Sequence, residues 1–212
     1  MKMKKTSLAV RWCASVLSFV LMLAVAGCAH PQAADDYFAY AHEGMEMTVR
    51  ATITRTASDG YGGDASRAGE SYTGRAWELV AAVTTAAPNE GGGRVVSVTF
   101  SSPPVLAGVT VSRACTENGA TVTVSRTLTD GKTVRVDHCE GQFDGLLRLA
   151  EGWLPQGDVV DVSPVTDGAR AVTVSSPDGG KAVYTFSESE KIPLRVALSD
   201  AWGEVELVRD LS

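Results

Sequence analysis

At 212 residues the chain is long enough for one large domain or two small ones, and for a substantial core. Its 19 basic residues stand against 25 acidic ones, a net charge of −6, which leaves no basic excess for gripping nucleic acid or anionic lipid.

The first element is a leader. Lys2, Lys4 and Lys5 precede an apolar stretch from Ala14 to Gly27, broken by Ser15 and Ser18. A positive start followed by an apolar core of this length is a secretory signal. A membrane-spanning helix needs about 20 apolar residues, and Arg11 interrupts the run when it is counted backward, so a span fits less well. The run ends at Val25-Ala26-Gly27-Cys28, which resembles the bacterial lipoprotein lipobox: an aliphatic residue, two small residues and a cysteine. That resemblance implies lipidation of the Cys28 sulfur and removal of residues 1–27 by cleavage just before it. The alternative is a plain signal peptide cut after an A-x-A-like site, with Cys28 there by coincidence.

The leader takes four of the 19 basic residues and none of the acidic ones, so residues 28–212 carry 15 basic against 25 acidic groups, a net −10. Fatty acyl chains rather than charge would therefore hold this chain at a membrane outside the cytoplasm, and two or more such chains anchor stably. Ala29 is not the aspartate associated with inner-membrane retention in two-membrane bacteria, and the sequence leaves inner or outer membrane open.

Residues 28–44 read as the lipidated cysteine, a polar tether (AHPQAADD) and a short helix in YFAYAHEG with Asp35 or Asp36 near its start. A single β-rich domain is expected over 45–212. Met47, Val49, Ala51 and Ile53 alternate with Thr48, Arg50, Thr52 and Thr54, the period-two signature of a half-buried strand. Trp77, Leu79, Ala81 and Val83 repeat the pattern, as do Val96, Val98 and Phe100 after the glycine turn 91–93. Further strands are expected over 108–114, 120–127, 132–138, 158–164, 169–176, 181–187, 193–199 and 203–209, with turn signals such as ENG, TDGK and SPDGG between them. The total is about ten short-linked strands, antiparallel by their connections.

One segment breaks this rhythm. In FDGLLRLAEGWL, residues 143–154, Phe143, Leu146, Leu147, Ala150 and Leu154 recur at helical spacing, and Pro155 ends the run. The fold class is therefore mainly β with one central helix. A curved antiparallel sheet, or half-barrel, with helix 143–154 across its concave face uses both patterns; a β-sandwich capped by the helix is the alternative.

With Cys13 in the leader and Cys28 the lipid site, Cys115 and Cys139 remain, and an even pair in an exported chain can form a disulfide. Cys115 shares parity with Val109 and Val111, however, whereas Cys139 opposes Val134 and Val136. Alternating strand side chains would send the two thiols to opposite faces unless a strand end or bulge intervenes, so the bridge stays open.

The closing stretch KIPLRVALSDAWGEVELVRDLS resembles the end of lipoprotein-carrier domains of the LolA/LolB and RseB half-barrel group, through Ile192, Pro193, Val196 and the turn from Asp200 to Gly203. MEMTVRATITR is similar to that group's opening strand. The resemblance covers about a quarter of the chain. It implies a half-barrel of eleven or so strands, lined with apolar residues and covered by helices, that binds acyl chains or senses envelope partners. It carries over no catalytic residue, and the stretch 56–76 has no match in the group.

Nothing in the sequence assembles catalytic chemistry or calls for a cofactor. Asp137-His138-Cys139 holds triad residue types, but neighbours in a strand project to alternate faces and cannot converge. His30 and His42 have no second ligand nearby, and the Asp59–Asp64 loop is half of a calcium repeat that works in tandem; no metal site is expected. The aromatic and leucine side chains near the helix are ambiguous instead. Leu146, Leu147, Trp153 and Leu154 line a ligand groove if the space under the helix is hollow, and form core if it is filled. The expected function is a non-enzymatic, membrane-anchored lipoprotein that binds a lipid or another apolar ligand; a protein-interaction or sensory module of the envelope is the alternative.

Overall fold

The computed structural model describes residues 37–55, 76–116, 119–201 and 203–211. The leader, Cys28 and the tether lie outside the described residues, as do the Asp59–Asp64 loop, the rest of the stretch 56–75 and Trp202. Residues Ala34–Ser212 make one compact unit.

Eleven strands form one antiparallel sheet: β1 (Met45–Arg55), β2 (Ala76–Thr85), β3 (Val95–Ser102), β4 (Val109–Thr116), β5 (Gly119–Thr127), β6 (Thr133–Asp137), β7 (Asp158–Val162), β8 (Ala169–Ser175), β9 (Lys181–Ser187), β10 (Arg195–Ser199) and β11 (Gly203–Arg209). Their order is β6-β5-β4-β3-β2-β1-β11-β10-β9-β8-β7. β1 meets β11 in the middle, Ala51 opposite Leu207 and Ile53 opposite Val205, and a meander runs outward from each. The sheet is curved and open, with β6 and β7 as its free edges. Register shifts at Val80/Ala81 in β2 and Val159/Asp161 in β7 are irregularities of the kind that bends a sheet.

This order dictates where the helix must go. β6 and β7 are consecutive in sequence but occupy opposite edges, so the chain between them has to cross a face of the sheet. It does so through α2 (Asp144–Glu151), which packs on β2, β3 and β4. A four-residue helix, α1 (Tyr40–Glu43), precedes β1. The expected curved sheet with a helix across it is the fold observed, and the sandwich alternative is set aside because every strand among the described residues belongs to one sheet.

The concave face is built by the period-two pattern. Val49, Ala51 and Ile53 of β1, Leu79, Ala81 and Val83 of β2, and Val96, Val98 and Phe100 of β3 are all buried. Val111, Val122, Val172, Val174, Val196, Val205 and Leu207 extend the same surface. Each valine, leucine, isoleucine or phenylalanine among them, withdrawn from water, contributes about 1.5–3 kcal/mol before ordering costs. Trp77 shares the parity of Leu79 yet is 44% exposed at the start of β2.

Candidate functional site

The space between sheet and α2 is filled. Leu147, Leu149, Ala150 and Trp153 have no exposed surface and pack with the sheet valines into one core. The close approach of the helix end depends on Gly152, where a Cβ would lie 2.7 Å from Leu198 Cδ1 and 2.8 Å from Leu207 Cδ1. Of the four candidate groove residues, Leu147 and Trp153 thus sit inside the core, while Leu146 and Leu154 are half-buried at its margin.

The opening lies elsewhere. Residues 37–44 fold onto the sheet, burying Phe38, Tyr40 and Ala41. Tyr40 Oη donates a 2.5 Å hydrogen bond to the Trp153 carbonyl, tying this segment to the end of the helical crossover. Arg94 Nη2 donates to the Ala41 carbonyl at 2.5 Å from the other side. Gly44, at φ +80°, turns the chain into β1 where a Cβ would meet backbone atoms of Thr85 and Ala87 at 2.9 Å. Phe38 then stacks edge-on against Tyr184 and Phe186, with centroids 4.9 and 5.9 Å away.

Beside this aromatic cluster a cleft of about 730 Å³ opens between residues 37–44 and the ends of β8 and β9. Tyr40 and Phe186, both buried, and half-buried Ile192 supply its apolar wall. Tyr37 adds a ring 6.3 Å from Phe186, and the Arg170 guanidinium sits 5.9 Å above it while Nη1 donates to the Tyr37 hydroxyl at 3.1 Å. Glu43, Glu188, Glu190 and Lys191 form the exposed rim. Burial pushes the Tyr40 hydroxyl far above its ordinary pKa, with Tyr184 adding to the effect, so it stays a neutral donor.

A smaller cleft of about 260 Å³ lies along the polar side of α2. Five of its charged side chains are paired: Arg113 Nη1 bonds Glu151 at 2.5 Å, Arg113 Nη2 reaches Asp144, and Arg148 Nη2 meets Asp200 at 2.6 Å. Burial pushes the Glu151 carboxyl up, Arg113 opposing it. This cleft is a seam of ion pairs joining α2 to β4 and to the turn after β10.

The Asp137-His138-Cys139 run does not converge. Asp137 accepts from Thr123 and Arg135, and His138, at φ +62°, breaks the strand and directs its ring to solvent beside Glu140. Cys139 turns inward, buried, with its amide bonded to the Val122 carbonyl. Cys115 is exposed at the end of β4, opposite Ala120, and both cysteines are free thiols. The bridge left open by the sequence is therefore not formed in this structure. Among the described residues no three His, Cys, Asp or Glu side chains group as metal ligands, and no helix is long and apolar enough to cross a membrane.

The cleft at residues 37–44 was not legible in the sequence, which reads that segment as a short helix following the tether. Its one signal is the aromatic density of YFAY, three rings in four residues.

No protein family matches the chain by its sequence profile, and no curated protein matches it. The solved structures that are distantly similar in fold include the following two. A DUF1329 family protein from Desulfovibrio piger aligns over 80% of this chain and 85% of its own, at 10% identity and a TM-score of 0.41. A domain assigned to outer membrane lipoprotein sorting, from Vibrio parahaemolyticus, aligns over 79% of this chain and 83% of its own, at 10% identity and a TM-score of 0.32.

Proposed function

We propose that this chain is a non-enzymatic, extracytoplasmic lipoprotein, anchored through acyl chains on Cys28, that binds a lipid or similar apolar ligand in the cleft between residues 37–44 and the ends of β8 and β9. The observation that carries the reading is the cleft's volume, about 730 Å³, against an aromatic wall of Tyr37, Tyr40 and Phe186. That size is typical of sites for small ligands, which are apolar concavities with a few polar groups at set positions. The groove expected under residues 143–154 is occupied by the protein's own Leu147, Leu149 and Trp153, so the ligand moves to the aromatic end of the molecule. In this reading residues 1–27 are the cleaved leader, residues 28–36 the tether, and residues 37–44 together with the β-rich domain from Met45 the binding unit. Nine residues from Cys28 to Tyr37 span at most about 30 Å, which keeps the cleft mouth close to the lipid surface.

The test is native mass spectrometry of residues 28–212 carrying Cys28→Ala, exported behind a leader that is cleaved without lipidation and purified from bacterial cells, so that neither an attached acyl group nor the apolar leader is mistaken for a bound lipid. A co-purified lipid mass, lost in an Ile192→Asp variant, is the expected result; a bare chain in both contradicts the reading.

A second reading, an envelope-protein interaction module, is favoured by one observation. β6 is a free edge with all five residues exposed, and Val134 and Val136 stand 54% and 56% exposed on one face. A strand edge of this kind can pair with a partner's strand.

A further inference from the structure

The rim of the large cleft carries charges of both signs. Glu190 is held by Arg209 at 2.8 Å. Glu43, Glu188 and Lys191, all exposed, make no ion pair among the described residues. Arg170 brings a guanidinium to the same wall, where it lies over the Tyr37 ring and donates to its hydroxyl. Beside the Glu190–Arg209 pair, two carboxylates and the Lys191 ammonium thus line one opening, above a wall of three aromatic rings at which Arg170 is already engaged.

A ligand that fills such an opening has to satisfy both signs. A purely anionic head would meet Lys191 and Arg170 but also the two glutamates, where like charges repel. An uncharged apolar molecule would partly dry the charged rim and offer it no counter-charge. An ammonium and a phosphate on one short head would answer both signs, the ammonium also drawn to the aromatic faces. Building on the cleft as the ligand site, we propose that its occupant is an amphiphile with a zwitterionic head: the cationic end on Glu43 and Glu188, the anionic end on Lys191 with Arg170 beside it, and the chains against Tyr40, Phe186 and Ile192.

Isothermal titration of the leader-free Cys28→Ala protein, residues 28–212, tests this with three lipids of identical short chains, each below its micelle concentration: dihexanoyl phosphatidylethanolamine, dihexanoyl phosphatidylglycerol and dihexanoylglycerol. The zwitterionic lipid is expected to bind about tenfold more tightly than the anionic one, the worth of one charge-assisted hydrogen bond. In the Glu43→Gln/Glu188→Gln chain that gap should close to within about twofold, with the melting temperature unchanged. Equal binding of all three lipids by the unsubstituted chain, or tighter binding of the anionic one, overturns the headgroup assignment and leaves the cleft reading standing. Binding of none overturns both. Phosphoethanolamine without chains is the remaining arm, and an affinity equal to that of the lipid would overturn the amphiphile.

Discussion

Tyr40 does two things at once: its ring closes the apolar wall of the cleft, and its hydroxyl holds the carbonyl of Trp153. Because burial keeps that hydroxyl neutral, the bond persists across the working pH range. Tyr40→Phe removes the donor and leaves a buried carbonyl, a loss of about 1–3 kcal/mol in urea unfolding, while ligand binding at the retained ring should survive. Trp153 is the reverse case. Its ring is wholly buried, but Nε1 finds no acceptor among the described residues, so its contribution is packing. The two described cysteines separate on the same logic. A thiol reagent is expected to modify Cys115 within the native protein and Cys139 on unfolding. Equal rates under native conditions would place Cys139 at the surface, against its burial.

Among the elements, α2 is held by two kinds of force. Its apolar side is sealed by Leu147, Leu149 and Ala150, and its polar side is strapped to β4 by Arg113 between Asp144 and Glu151. Glu151 faces Arg113, Arg148 and Asp144; burial is the largest influence and raises its pKa above the ordinary 4.5. A carboxyl raised on folding binds protons more readily in the folded state. Its contribution to stability is therefore full below about 4.5 and is lost as pH rises through the raised value. Relative to Glu151→Gln, which cannot titrate, the unsubstituted chain should gain stability on acidification across that window. Urea midpoints at a series of pH values check this, and a gap that stays constant with pH would show the carboxyl to be solvated. Asp137, Glu140 and Asp178 shift the other way, each lowered by hydrogen bonds, so their stabilisation is present above the ordinary carboxylate pKa and is lost as pH falls through their lowered values.

Across the molecule as a whole, the sheet was readable because its signal is local. Met47, Val49, Ala51 and Ile53 declare a face by alternation alone, and turns such as Thr129-Asp130-Gly131-Lys132 mark where each strand reverses. The Asp200–Gly203 turn is built as its residues suggest, with Gly203 N donating to the Asp200 carboxylate at 3.2 Å. Whether the helix covers a hollow or a core was not readable, since periodicity identifies an apolar face without saying what meets it. Leu149 lies off the 143–154 stripe traced in the sequence, yet it is wholly buried, because α2 is enclosed more fully than a one-sided cap. The candidate site was missed for a related reason. YFAY follows a polar run like the end of a tether, and long-range packing against Tyr184 and Phe186, almost 150 residues away, turns it into a wall.

In the proposed function an apolar ligand enters beside residues 37–44 and not beneath α2, and photocrosslinking separates the two places. A fatty acid carrying a photoreactive diazirine near its tail is bound to the chain, irradiated and mapped by peptide mass spectrometry. Crosslinks at Tyr37–Gly44 and Phe186–Ile192 are the expected result. Crosslinks concentrated in residues 143–154, or none above background, would rule out the cleft as the ligand site.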